Sequence, residues 1–345
     1  MGILPAACYA VVGVSVMMKP MALAAGLGFL LAVFLIVSQG TTSVLGALAS
    51  VGIGALWITL IRCLQVFAAG WAWWTLIPNG SRELLEACLG LRYVREAINT
   101  LLPVAQIGGE VVGARLLTRW HVDGGLAGAT VLVDLLIQTA TLVVFSSLGV
   151  LLLALLGGQA ELIFWISLGL LGMGSAVTGF FLAQRMGGFR LLEHALLRIA
   201  ETSRWIMFGG LGNVHHGLKV IHGRRGAIAV AALVHLIVWF IGALEIWIAL
   251  SYLGCPVGYM EALAIESLGQ AVRAAGFLIP AGLGVQEGGF VGICAVVGIP
   301  APTAIALSLV KRVPEVVLGL PGLLAWRVLE GRADVGALAR LENAD

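Results

Sequence analysis

Hydrophobic residues run along the chain in stretches of about twenty, the length that crosses a hydrocarbon core about 30 Å thick as an α-helix, with short polar turns between them. Spans are predicted at 21–37, 44–74, 126–156, 162–182, 227–253 and 303–328. Two further segments, 83–102 and 259–278, keep helical length but carry charge: Glu86, Arg92, Arg95 and Glu96 in the first, Glu261, Glu266 and Arg273 in the second. Charges are tolerated inside a span where they face one another or a cavity. Trp71, Trp73 and Trp74 suit the headgroup level, where amphipathic rings collect. Residues 1–20 are apolar, but Lys19 follows the apolar run, the reverse of a secretory signal peptide, so they read as an interfacial or partial span. The expected fold class is all-α: a polytopic membrane protein with about eight full transmembrane helices and two broken segments.

The broken segments are two copies of one pattern. Pro103 is followed by Gly108, Gly109 and Glu110; 177 residues later Pro280 is followed by Gly282, Gly284 and Glu287, with six residues between proline and glutamate in each copy. Proline lacks the N–H and glycine loses the most backbone freedom on ordering, so both interrupt a helix. In lipid such an interruption survives only where protein or a water-filled cavity satisfies its backbone groups, and matched interruptions in two halves point to a binding site. The match extends to Glu83 and Arg95 against Glu261 and Arg273, and to Asp134 against Lys311-Arg312. Repeat cores are expected near 83–157 and 259–328, inside one transmembrane domain over 21–330.

Composition agrees: 60% of residues are hydrophobic and 11% charged, against about 25% charged in soluble domains, and mean hydropathy is +1.04. The net charge of +2 says little as a total. Its distribution says more, because residues 183–225 hold Arg185, Arg190, Arg198, Arg204, Lys219, Arg224 and Arg225 against Glu193 and Glu201. By the positive-inside rule this loop is cytoplasmic. Within it, Phe189, Leu192, Leu196 and Ile199 lie on one helical face, which describes an amphipathic surface helix. If Lys19, Arg82, Arg115, Arg119 and the tail 331–345 lie on the same side, the two repeat cores run in opposite directions, an inverted repeat. Crossing and re-entry of the broken segments both fit this count.

Glu110 and Glu287 have two readings: binding a proton, a cation or a cationic headgroup, or accepting hydrogen bonds from free N–H groups at a half-helix start. Arg95, Arg115 and Arg273 could fork onto a phosphate or carboxylate headgroup or pair with nearby glutamates. Asp134 and Arg312 are expected to form a salt bridge across the repeat, static or gating. Glu245 and Glu315 are intramembrane acids without an assigned partner. Gly109/Gly113 and Gly284/Gly288/Gly292 recur four apart, which allows close helix packing. Cys8, Cys63, Cys88, Cys255 and Cys294 have no metal-ligand or disulfide spacing, and His194, His215, His216 and His222 lie in a carboxylate-poor basic loop, so no metal site is expected. No Walker A pattern is present, and no cofactor is expected.

At Asn99–Glu110 and Pro280–Gly288 the chain resembles the membrane region of the lysylphosphatidylglycerol synthase and flippase-like superfamily, and within it the HpnL-type proteins encoded with bacterial hopanoid-synthesis genes. The resemblance spans about residues 20–330. It implies a flippase-like activity on hopanoid or another amphiphilic lipid in the bacterial inner membrane, without the soluble aminoacyl-transferase domain of larger relatives. The binding or coupling residues would be Arg95, Pro103, Gly108, Gly109, Glu110, Arg115, Asp134, Arg273, Pro280, Gly284, Glu287, Lys311 and Arg312. Candidate partners are membrane lipids, hopanoid-pathway proteins and further copies of the chain, with no nucleic acid. The rival classes are an intramembrane lipid-modifying enzyme, for which the G-x-S-x-G and H-E-x-x-H patterns are missing, and a scaffold for hopanoid-synthesis enzymes.

Overall fold

A computed structural model describes residues 46, 49–102, 108–158, 160–186, 211–276, 279 and 284–342. The expected span 21–37, the amphipathic helix within 183–225, and both Pro103 and Pro280 lie outside the described residues. The described chain is helical throughout: α1 (Gly54–Leu76), α2 (Arg82–Leu101), α3 (Gly108–Leu117), a 3₁₀ turn (Thr118–Trp120), α4 (Gly124–Leu155), α5 (Ala160–Met186), α6 (Leu211–Gly223), α7 (Arg225–Tyr252), α8 (Tyr259–Ala275), α9 (Val285–Val296) and α10 (Ala301–Glu342). Four of these hold a stretch long and apolar enough to cross a membrane: α1, α4, Ile163–Arg185 of α5, and α7.

Local sequence sets the boundaries. Pro78-Asn79-Gly80 ends α1, and Ser81 caps α2 by accepting a hydrogen bond from the Leu84 N–H at 3.3 Å. Asp123 caps α4 in the same way through the Leu126 N–H at 3.2 Å, each cap satisfying one of the free donors at a helix start. Gly284 adopts φ +77°, a left-handed backbone natural only to glycine, and opens α9.

The spacing of the helices matches the spacing of the motifs. Arg82 and Tyr259, Gly108 and Val285, and Gly124 and Ala301 begin three successive pairs of helices, each pair 177 residues apart. α1 corresponds to α7 and lies antiparallel against it: Ser50 Oγ donates to the Tyr252 carbonyl at 3.2 Å, Arg62 meets Glu245, Gln65 Nε2 donates to the Val238 carbonyl at 2.9 Å, and Arg224 donates to the Leu76 carbonyl at 3.0 Å. Packing is also exchanged between the halves. Gly319 and Gly322 of α10 receive Leu101 and Ala97 of α2, while Gly149 of α4 receives Ser267 of α8.

The charged segments 83–102 and 259–278 form α2 and α8, and each is followed by a short helix that folds back along it. Gly109 of α3 lies against Asn99, and Gly113 against Arg95. Gly289 of α9 meets Val272, and Phe290 meets Gly269. Ten and twelve residues reach only about 15–18 Å as α-helix, so neither α3 nor α9 can cross a core of about 30 Å.

Two features differ from expectation. The basic segment contains a helix, α6, which packs on α4 with Gly217 close to the Ala129 methyl group and the Leu126 backbone. The charged tail continues α10 as helix through Glu342. Large apolar side chains on α5, among them Phe164, Trp165 and Leu171, are exposed, as suits a helix bordered by lipid.

Candidate functional site

The two hairpins carry their charges inward. In the first half Arg95, 1% exposed, bonds Glu110 of α3 and lies 3.0 Å from Asp134 of α4. Its guanidinium also stacks over the Trp73 ring, 4.6 Å from the centroid, a favourable cation–π geometry. Arg92, one turn earlier, reaches the same Asp134 carboxylate at 3.3 Å and donates to Gln138 Oε1. His235 of α7 takes the other Asp134 oxygen at 2.9 Å. Asn99 knits the hairpin tip, donating to Glu110 at 3.2 Å and accepting from the Gly109 N–H at 2.8 Å.

The second half is built from different pairs. Glu287 accepts from the Gly284 N–H at 2.7 Å and from Arg312 at 2.8 Å, with the Ser308 hydroxyl at 3.2 Å. Lys311 bonds Glu266 and lies 3.4 Å from Glu245, which also meets Arg62 at 3.2 Å. Arg273 pairs with Glu315. Glu245 of α7 takes both Lys311 of α10 and Arg62 of α1, which links the halves into one network. Such charges are buried at high desolvation cost and persist because they are paired.

The bridge expected between Asp134 and Arg312 is replaced by these pairings. α4 and α10 each pack on the opposite hairpin, α4 on α8 and α10 on α2, so Asp134 meets α2 and α7 while Arg312 meets α9. Glu245 and Glu315, which lacked partners in the sequence, have them here.

Between the halves lies a cavity of about 700 Å³, within the range of small-molecule sites. One part of its wall is polar: Arg62 and Gln65 of α1, Arg92, Glu96 and Thr100 of α2, Glu110 of α3, Gln138 of α4, His235 of α7, and Gln270 and Arg273 of α8. The remainder is apolar, with Leu135 and Leu142 of α4, Met173, Val177 and Phe180 of α5, and Trp239 of α7. A surface of this kind accommodates an amphiphile.

The expected site residues divide accordingly. Glu110 and Arg273 line the cavity. Arg95, Asp134, Glu287, Lys311 and Arg312 lie behind it and hold its walls. Gly109 permits close approach, since a Cβ there would overlap the Arg95 carbonyl and the Asn99 amide; Gly108 and Gly284 mark the starts of α3 and α9. Arg115 pairs with Glu330 near the protein surface, away from the cavity. Sequence reasoning passed over Gln65, Glu96, Gln138, His235 and Gln270 as site residues. A signal existed, because Arg62/Gln65, Arg92/Glu96/Thr100 and Gln270/Arg273 recur three or four apart and so share helix faces. Among the described residues no cluster of His, Cys, Asp and Glu could hold a metal.

A family model described as the lysylphosphatidylglycerol synthase TM region matches residues 21–322. No curated protein and no solved structure matches the chain.

Proposed function

From the premise that the chain belongs to the lysylphosphatidylglycerol synthase TM-region family, we propose that it moves an amphiphilic lipid between the leaflets of a bacterial inner membrane. The observation that carries this reading is the cavity between the halves, lined by polar side chains of α1, α2, α3, α4, α7 and α8 together with apolar ones, those of α5 among them. A polar head is costly to move through hydrocarbon unless protein groups replace its water, and the polar wall offers such groups.

We read α1–α4 and α7–α10 as an inverted repeat and the two hairpins as re-entrant. Support comes from the constant spacing of 177 residues, the antiparallel contact of α1 with α7 and the shortness of α3 and α9. Inverted repeats permit alternating access, one half rocking on the other about a site near the midplane. Arg82, Arg119, Arg185, Lys219 and Arg224 gather at the end where α2 begins and α5 finishes, which we assign to the cytoplasm. Glu110 faces the cavity while Glu287 is buried behind it, so Glu110 is the better placed of the two to couple an ion. Hopanoid is one candidate cargo, on the resemblance of the first motif.

On this reading the protein translocates and does not convert its lipid. Purified protein in liposomes, supplied with hopanoid, aminoacyl-phospholipid and plain phospholipid probes, is expected to speed transfer of at least one probe and return it with unchanged mass. A change in mass supports the enzyme reading, and no transfer by folded protein overturns translocation.

A further inference from the structure

We propose that Glu245 is a proton-binding site, and that a proton there releases Arg62 and so unties α1 from α7; the inference rests on the translocation reading for what that movement carries. Among the described residues Glu245 Oε1 is the carboxylate oxygen that is buried without a partner. Glu110, Asp134, Glu266 and Glu287 have both oxygens engaged: by Arg95 and Asn99, by Arg95 and His235, by Lys311 and Gln270, and by Arg312 and the Gly284 N–H. A buried carboxylate oxygen with no donor is costly, and a proton removes the charge that makes it so.

The charges around Glu245 are balanced in a way that admits one proton. Lys311 bonds Glu266 and lies 3.4 Å from Glu245 Oε2, and Arg62 Nη2 lies 3.2 Å from the same oxygen. Arg62 from α1, Glu266 from α8 and Lys311 from α10 are the charged groups that face Glu245. Asp134 of α4 meets α7 at His235, about 15 Å along the helix, and α6 packs near Ala231. When Glu245 Oε1 gains a proton from water, Lys311 stays paired with Glu266, and Arg62 is left to find another acid. Its hold on Glu245 is a single contact through Nη2, with Nε unpartnered, weaker than a two-pronged pair. Arg62 also lines the cavity, and it shares a narrower pocket between α1, α2 and α10 with Glu96, whose pair with Arg92 is loose at 3.8 Å. The proton's path from water in the cavity runs along Arg62, which lines that space and touches Glu245. Its arrival replaces a link between the halves with a pair confined to α1 and α2.

The test is the distance between spin labels at His121→Cys and Arg225→Cys in the cysteine-free full chain in detergent, two exposed positions, one in each half. Acidification from about pH 8 to about pH 5, a range in which a solvated carboxylate stays mostly ionised, is expected to raise a second distance population several-fold. Glu245→Gln, which imitates the protonated acid, should show the acid distribution at both pH values, and Glu266→Gln should keep the acid response. The arm with native Glu245 needs no substitution in the cluster, so it decides even where Glu245→Gln does not fold: distances indifferent to acid overturn the proposal. An acid response that survives in folded Glu245→Gln, as a titrating His235 would give, overturns it as well. Acid-responsive distances with no lipid transfer in liposomes would sink translocation and leave the proton site standing; lipid transfer with distances blind to acid would do the reverse.

Discussion

Arg95 satisfies two carboxylates with one buried guanidinium, so its removal strands both. Arg95→Gln is expected to lower stability by about 3–5 kcal/mol, the cost of breaking a buried pair, read as the unfolding midpoint in detergent. Arg115 and Glu330 are 38% and 32% exposed, and Arg115→Ala should cost less than about 1 kcal/mol. Gly109→Ala places a methyl group against the Arg95 carbonyl and Asn99, and overpacking of this kind costs about 1–3 kcal/mol. Sequence singled out Arg95, Glu110, Asp134 and Glu287 because charge inside apolar helices is conspicuous. It paired Asp134 with the wrong partner because pairing depends on which helices abut. That is a property of packing, and the 177-residue periodicity relates positions without saying which of them touch. His235 escaped because a single histidine in the apolar run 227–253 carries no local signal until Asp134 lies beside it.

At the scale of elements, the proposed re-entrant reading has the hairpins α2–α3 and α8–α9 enter from opposite ends and return to them. In a cysteine-free background, His121→Cys, in the turn after α3, should label from the face that bears the arginines. Glu161→Cys and Pro300→Cys, after α4 and α9, should label only from the other face. Labelling of His121 and Pro300 positions from one side would contradict the opposed entry of the hairpins. The breaks were legible as Pro–Gly interruptions, whereas the direction in which the chain resumes was not, because a hairpin and a crossing begin with the same residues. α6 falls in the segment read as a loop from its basic charge, where Gly212, Asn213, His215, His216 and Gly217 have low helix propensity. Its packing on α4, made close by Gly217, overrides that local preference.

Over the whole molecule, α1–α4 and α7–α10 meet at α1 and α7 and border a cavity that neither set forms alone. Its polar wall draws on α1, α2, α3, α4, α7 and α8, and α5, outside the repeat, adds apolar side chains. The 177-residue spacing of the helix starts could be read from the motifs. The cavity could not, since it exists only where helices distant in sequence fail to close on one another. Filling that space separates a translocator that uses it from one that does not. The decisive measurement is lipid transfer in proteoliposomes by Ala176→Trp, which places an indole at the cavity wall, compared with Leu171→Trp on the exposed face of the same helix. Loss of transfer in the first variant with retention in the second, at equal folding, is the predicted result; undiminished transfer in both would contradict passage through the cavity.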